Sequence, residues 1–166
     1  ALLEAVPIAA IAGMRVLSVD YRLAPEHIYP AAVDDIVAVY REVIRTTDPA
    51  KIGIYGCSAG AILTTQAVAR FFHDGLPTPG AIAMFHGATV PFAGDAALVQ
   101  KLFDPRTATA GAPKVEELPY FGGTDLSDPL VLPAEHPDLL KQFPPSLLIS
   151  ATRDFAASAV SVMHRR

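Results

Sequence analysis

Short apolar runs alternate along this chain with longer segments in which apolar residues recur at helical spacing. Runs at 14–19, 51–55, 81–85 and 146–150 are compact, rich in β-favouring residues, and predict strands. Between 31 and 45, apolar residues follow the i, i+3, i+4, i+7 pattern with charged residues on the other face, which predicts an amphipathic helix.

The remaining segments complete an alternation of strands and helices. Residues 59–73 are apolar nearly all round and predict a buried helix, while 1–12 predict a helix that packs on the core and ends at Gly13. The Pro-rich stretch 87–145 predicts loops with short helices at 96–103 and 137–143, and a last helix begins near Phe155. This order indicates an α/β domain with a mostly parallel sheet that is covered on both faces.

One short motif lies at the junction between a predicted strand and the buried helix. Gly56, Ser58 and Gly60 form G-x-S-x-G, a sharp turn that exposes a serine above the sheet and directs the backbone N–H of Ala59 toward a reacting carbonyl. The same letters also fit an ordinary glycine-rich turn without chemistry. The strand before it and the helix after it favour the nucleophile.

Three polar residues follow three of the predicted strands. They are Ser58, His86 and Asp154. In parallel sheets, chemistry gathers beyond the carboxyl ends of the strands, so we expect these residues at one edge. Asp154 also suits the N-cap of the following helix, and the two roles are compatible.

Three stretches resemble the hormone-sensitive-lipase-like family of α/β-hydrolase carboxylesterases. They are YRLAPEHIYPAAVDD (21–35), IYGCSAGA (54–61) and FPPSLLISATRDFAASA (143–159). The resemblance implies a three-layer α/β-hydrolase fold, with residues 1–166 forming a catalytic domain that is incomplete at both ends. It implies that Ser58 is the nucleophile, that Asp154 is the acid of the catalytic triad, and that Ala59 contributes to the oxyanion hole.

The chain departs from the family pattern at two positions of the turn around Ser58, which we call the elbow. Cys57 and Ala61 stand where the family usually has Asp and Gly. We interpret Cys57 as a small apolar filler, because neighbours on a turn point in different directions. Glu26 and His27 in the APEH stretch are interpreted as residues that fix a loop.

The resemblance places the family's oxyanion loop before Ala1 and its catalytic histidine beyond Arg166. His164 lies too far along the last helix to orient against Asp154, and neither His73 nor His136 has a suitable position. His86 is interpreted as lining the acyl pocket, and the alternative is that it serves as the base. As written, the chain is therefore expected to be inactive alone.

Composition limits the other classes of function. The 166 residues are 51% hydrophobic, and 13 Lys and Arg against 17 Asp and Glu give a net charge of −4, which disfavours a nucleic-acid partner. The apolar runs are shorter than a membrane span requires. One cysteine and no clustered ligands indicate neither metal nor cofactor, and we expect a cytoplasmic protein whose oligomeric state is open.

Two functions remain in competition. The first is a serine carboxylesterase that hydrolyses short- to medium-chain esters through an acyl-enzyme on Ser58. The second is a non-catalytic protein on the same fold that binds a small molecule, as hormone receptors related to this family do. A degenerate fragment without function is a third reading.

Overall fold

The computed structural model describes residues 2–91, 94–96, 114–152 and 154–166. Within these residues the helices and strands follow each other in the order α1 (Leu2–Ala12), α2 (Ala31–Val43), β1 (Gly53–Cys57), α3 (Ala59–His73), β2 (Ala81–Phe85), α4 (Pro137–Leu140), β3 (Ser146–Ile149) and α5 (Ala157–Arg165).

The three strands form one parallel sheet in the order β1-β2-β3. Gly53 pairs with Ala81, and Ile82 pairs with Ser146, so all three strands end at the same edge. Parallel neighbours need long crossover connections, which α3 and the Pro-rich segment supply here. The predicted α/β fold and its parallel sheet are confirmed.

The main core lies between one face of the sheet and the helices. The aromatic rings of Tyr40 in α2 and Phe71 in α3 stack with their centroids 4.1 Å apart and so join the two helices. The sheet contributes alternate residues of β2, Ile82 and Met84. The helices contribute Ala32, Val33, Val37, Ala61, Leu63, Ala67, Val68, Ala159, Val160 and Met163.

The other face of the sheet is covered less completely than the sequence predicts. Glu4 of α1 lies close enough to Cys57 for a side-chain hydrogen bond. Farther along this face, Leu147 and Ile149 of β3 are 54% and 43% exposed. The expectation that both faces are covered is therefore not met within the described residues.

Two predictions for the first 20 residues need correction. The helix forms over Leu2–Ala12, and Gly13 ends it with φ +62°, but Ile11 is 87% exposed and none of the helix residues with described side chains belongs to the main core. The predicted strand 14–19 is irregular, because it pairs with none of the strands in the described sheet. Among the described residues, no pairing joins this segment to β1.

A second, smaller core organises the Pro-rich segment. Val115, Phe121, Val131 and Leu132 are buried together among short 3-10 turns. Buried Gln66 of α3 joins this core to the main one, because its amide donates to the Val131 carbonyl at 2.8 Å. Loops with short helices are thus confirmed here, whereas the predicted helix 96–103 lies outside the described residues after Ala96.

An ion pair between Arg22 and Asp35 ties the loop before α2 to that helix. Arg22 pairs with Asp35 of α2 at 2.9 Å and also donates to the Ala31 carbonyl at 3.2 Å. Glu26 and His27 are exposed, and the hydrogen bond made by His27 comes from its backbone N–H. His27 helps to fix the loop through this N–H, which donates to the Leu23 carbonyl at 2.9 Å, and the role of Glu26 stays a prediction.

A carboxylate at the end of α3 ties this helix to α2. Asp74 accepts hydrogen bonds from His73 at 3.0 Å, Arg70 at 2.9 Å and Arg41 of α2 at 2.9 Å. These donors, His73 first, lower the pKa of Asp74 to about 2. Asp74 therefore stabilises the folded state only while it is ionised.

The turn between β1 and α3 depends on one close approach of the backbone. A Cβ at Gly56 would collide with the carbonyl group of Gly60, so only glycine fits at position 56. At Gly60 itself, a Cβ would meet nothing within 4 Å. The first glycine of the motif is thus required by packing, and the second is not.

None of the helices in the described part of the chain has the length and apolar content needed for a membrane span.

Replacing Asp74 tests the junction between α2 and α3. We expect Asp74→Asn to lower the free energy of unfolding by about 1 kcal/mol at neutral pH, since solvent screens part of the interaction. The folded pKa lies below the usual 3.8, so the difference between wild type and variant should persist above pH 4 and shrink as pH falls toward 2. Urea unfolding at several pH values measures it. Glu42→Gln, which breaks an exposed ion pair with Arg45, is the matched control and should change stability by less than about 0.5 kcal/mol.

Replacing Gly56 tests the close approach within the turn. Gly56→Ala should lower the free energy of unfolding by about 2 kcal/mol or more, because the methyl group meets backbone atoms that cannot rotate away. Gly53→Ala, in the same strand, adds a methyl group to open space and should cost less than about 0.5 kcal/mol. Equal stability of the two variants would contradict the packing described here.

Candidate functional site

Ser58 occupies the turn between β1 and α3 in an unusual backbone conformation. Its φ is +54° and its ψ is −114°, a region that residues with a side chain rarely adopt. The backbone N–H of Ser58 donates to the Phe85 carbonyl at the end of β2, at 2.8 Å. Strain of this kind persists where the surroundings hold it, and it is concentrated at functional sites.

The backbone N–H of Ala59 lies at the N-terminus of α3. Ala59 is the first residue of α3, and the first N–H groups of a helix have no partner within the helix. Among the described residues, no hydrogen bond uses this N–H. It is therefore able to donate a hydrogen bond to an anionic oxygen beside the turn.

Ala61 fits the elbow because a glycine faces it. A Cβ at Gly87 would lie 2.6 Å from the Ser58 carbonyl oxygen and 2.9 Å from the Ala61 Cβ. The methyl group of Ala61 is fully buried in the space that Gly87 leaves. Ala61 is thus accommodated by packing without displacing Ser58.

Asp154 lies beyond β3 and is bonded on both carboxylate oxygens. Oδ1 accepts from the backbone N–H of Ala156 at 3.0 Å, and Oδ2 accepts from the Ser150 hydroxyl at 3.2 Å. The Asp154 carbonyl accepts from the N–H of Ala157, the first residue of α5. Asp154 therefore shapes the start of α5, although the N-cap position itself is Ala156.

His86 contacts the Asp154 carboxylate directly. Its Nδ1 lies 3.0 Å from Oδ2, with the imidazole 43% exposed and the carboxylate 11% exposed. Its φ is +55°, and its backbone N–H donates to the Ile149 carbonyl of β3 at 2.8 Å. The interpretation of His86 as a residue that only lines a pocket is therefore incomplete, because its side chain is hydrogen-bonded to Asp154.

The three residues expected at one edge of the sheet do lie there. Ser58 follows β1, His86 follows β2 and Asp154 follows β3, and the sheet order puts His86 in the middle. The hydrogen bond between His86 and Asp154 was not predicted from the sequence. Both residues follow predicted strands, but the bond depends on the adjacency of β2 and β3, which no local pattern in the sequence encodes.

Cys57 is a poor candidate for a nucleophile. It is the last residue of β1, and burial together with the nearby Glu4 carboxylate raises the pKa of its thiol. A raised pKa leaves less thiolate, which is the reactive form. This agrees with the interpretation of Cys57 as a filler.

Three further histidines lie away from Asp154. His73 bonds Asp74 at the far end of α3, His136 precedes α4, and His164 is on α5. None of these three is hydrogen-bonded to Asp154 in the described part of the chain. The described residues also contain no cluster of three His, Cys, Asp or Glu side chains able to hold a metal ion.

Comparison with known proteins places this arrangement in a family. A family model described as an alpha/beta hydrolase fold matches residues 5–166. An acetyl-hydrolase of Streptomyces hygroscopicus is 35% identical over 139 residues, which cover 82% of this chain and 46% of that protein.

Solved structures agree with the sequence comparison. A crystal structure of an esterase superposes with a TM-score of 0.83 at 36% identity and covers 99% of this chain and 50% of that one. A crystal structure of an esterase from the bacterial hormone-sensitive lipase family superposes with a TM-score of 0.79 at 30% identity. The match covers 96% of this chain and 53% of that one. The chain thus spans about half the length of the relatives it matches. It belongs to the α/β-hydrolase fold family, in the group that resembles hormone-sensitive lipase.

Proposed function

We propose that this chain contributes the nucleophile Ser58 and the triad acid Asp154 to a serine hydrolase of carboxylic esters. The observation that carries the proposal is the strained serine on a strand-to-helix turn, with a partly buried carboxylate at the same edge of the sheet. The names of the relatives, acetyl-hydrolase and esterase, support the same reaction class.

Acylation begins when Ser58 Oγ attacks the carbonyl carbon of the ester. A histidine accepts the hydroxyl proton as the new C–O bond forms, and Asp154 stabilises the resulting imidazolium. The negative charge moves to the carbonyl oxygen, which accepts a hydrogen bond from the N–H of Ala59. Collapse of this intermediate breaks the bond to the alcohol, which leaves with the proton from the histidine.

Deacylation repeats the sequence with water. The histidine takes a proton from water, the hydroxide attacks the acyl carbon, and the acid leaves as Ser58 regains its proton. Following the family resemblance, the proposal assigns the base to a histidine beyond Arg166. Asp154 has the acceptor capacity that such a base requires, because donors from the described residues use three of its about four lone-pair positions.

The proposed substrates are esters of short- to medium-chain acids. The acetyl-hydrolase name of one relative favours the short end of this range. The alternative, a binding protein on the same fold, keeps the elbow but lacks a working base. Turnover separates the two functions, because only the hydrolase releases the acid.

Two neighbouring residues of the elbow provide the test. In the full-length protein, Ser58→Ala should reduce hydrolysis of p-nitrophenyl butyrate by about 1,000-fold or more, because no other group replaces the nucleophile. Cys57→Ala should keep most of the activity, since the thiol has a raised pKa and serves packing. Initial rates of both variants and the wild type, at several substrate concentrations, give kcat and KM.

The outcomes of this comparison are distinct. A Ser58→Ala variant with near-normal kcat would show that the nucleophile is misassigned. Loss of activity in Cys57→Ala with a normal Ser58→Ala would move the role to the cysteine. Binding of the ester by a wild-type protein that releases no acid would favour the binding protein.

A further inference from the structure

His86 lies between the two residues assigned to the reaction. On one side, the carbonyl of Phe85 accepts the backbone N–H of Ser58 at 2.8 Å, and Gly87 packs against the Ser58 carbonyl. On the other side, Nδ1 of His86 lies 3.0 Å from Oδ2 of Asp154. The residue therefore connects the nucleophile's turn to the acid.

The hydrogen bonds of Asp154 divide its two oxygens into different tasks. Oδ2 receives His86 and Ser150, which fill its two lone-pair positions. Oδ1 receives the N–H of Ala156 and keeps one position open within the described residues. Two donors on Oδ2 fix the plane of the carboxylate and direct the open position of Oδ1.

We propose that His86 is a positioning residue that holds Oδ2 of Asp154, so that Oδ1 remains oriented toward the catalytic base. This inference rests on the function proposed above and adds a residue to it. Neutral His86 carries its proton on Nδ1 in this arrangement, because the carboxylate on that side is an acceptor only.

The geometry favours positioning over the role of base. Among the described residues, no hydrogen bond joins the Ser58 hydroxyl to His86, whereas the bond to Asp154 is formed. The left-handed backbone of His86 also has an energetic cost for a residue with a side chain. A hydrogen bond to a charged group is among the stronger interactions able to offset that cost.

Two substitutions separate the donor from the imidazole. The side-chain amide of asparagine has an N–H donor on the atom that corresponds to Nδ1 of histidine, and asparagine tolerates positive φ. It has no atom that corresponds to Nε2, and its side chain does not ionise. Glycine adopts the same backbone without strain but supplies no donor. His86→Asn and His86→Gly in the full-length protein therefore differ in the donor to Asp154, and neither strains the backbone.

We expect His86→Asn to hydrolyse p-nitrophenyl butyrate within about 3-fold of the wild-type kcat and with the same pH profile. His86→Gly should lose about 10- to 100-fold in kcat, the range for losing a hydrogen bond to a charged group, while KM stays within about 2-fold. Thermal melting of each variant reports folding. Should His86→Gly fail to fold, Ser150→Ala removes the other donor to Oδ2 and is expected to lower kcat in the same way.

Other outcomes overturn the inference. Large losses in both His86→Asn and His86→Gly, with the acid limb of the pH profile abolished, would make His86 the base. Unchanged kcat in His86→Gly would leave it without a role in the reaction. Both results assume that Ser58→Ala abolishes hydrolysis; if it does not, the proposed function fails first and independently of His86.

Discussion

The contact between the backbones of Gly56 and Gly60 determines the geometry of the whole site. Gly56 has no Cβ, so its backbone can lie against the carbonyl group of Gly60. The chain therefore leaves β1 and begins α3 within one residue, which is Ser58. Its N–H then reaches the end of β2, and the first N–H of α3 is left available among the described residues. Placement of Ser58, the proposed nucleophile, and of the Ala59 N–H, the proposed oxyanion donor, thus follows from one steric constraint.

Ser58 and His86, both with positive φ, follow the ends of the neighbouring strands β1 and β2. Ser58 and His86 each carry a cost of order 1–3 kcal/mol for this conformation, and each is held by a backbone hydrogen bond to the neighbouring strand. The strain is concentrated where parallel strands end, which is where chemistry is found in such sheets. The buried helix α3, which packs on β1 and β2, provides the rigid support that such conformations need.

Much of this arrangement was predictable from the sequence because periodicity reports burial. The bounds of α2, α3 and β2 follow from apolar spacing, and the motif around Ser58 follows from its place between β1 and α3. Segment 14–19 has the composition of a strand, but a strand also needs a partner, and composition does not reveal one. The bond between His86 and Asp154 depends on the adjacency of β2 and β3, which are 60 residues apart in the chain and whose pairing no local pattern encodes.

Covalent labelling tests the central claim most directly, because it asks which atom of the protein is the nucleophile. The full-length protein would be treated with a fluorophosphonate, digested, and its peptides sequenced by tandem mass spectrometry. The account predicts a single adduct on Ser58, formed at a rate that falls when Asp154 is replaced by alanine. A protein that hydrolyses esters but carries its adduct on another residue, Cys57 included, would contradict it.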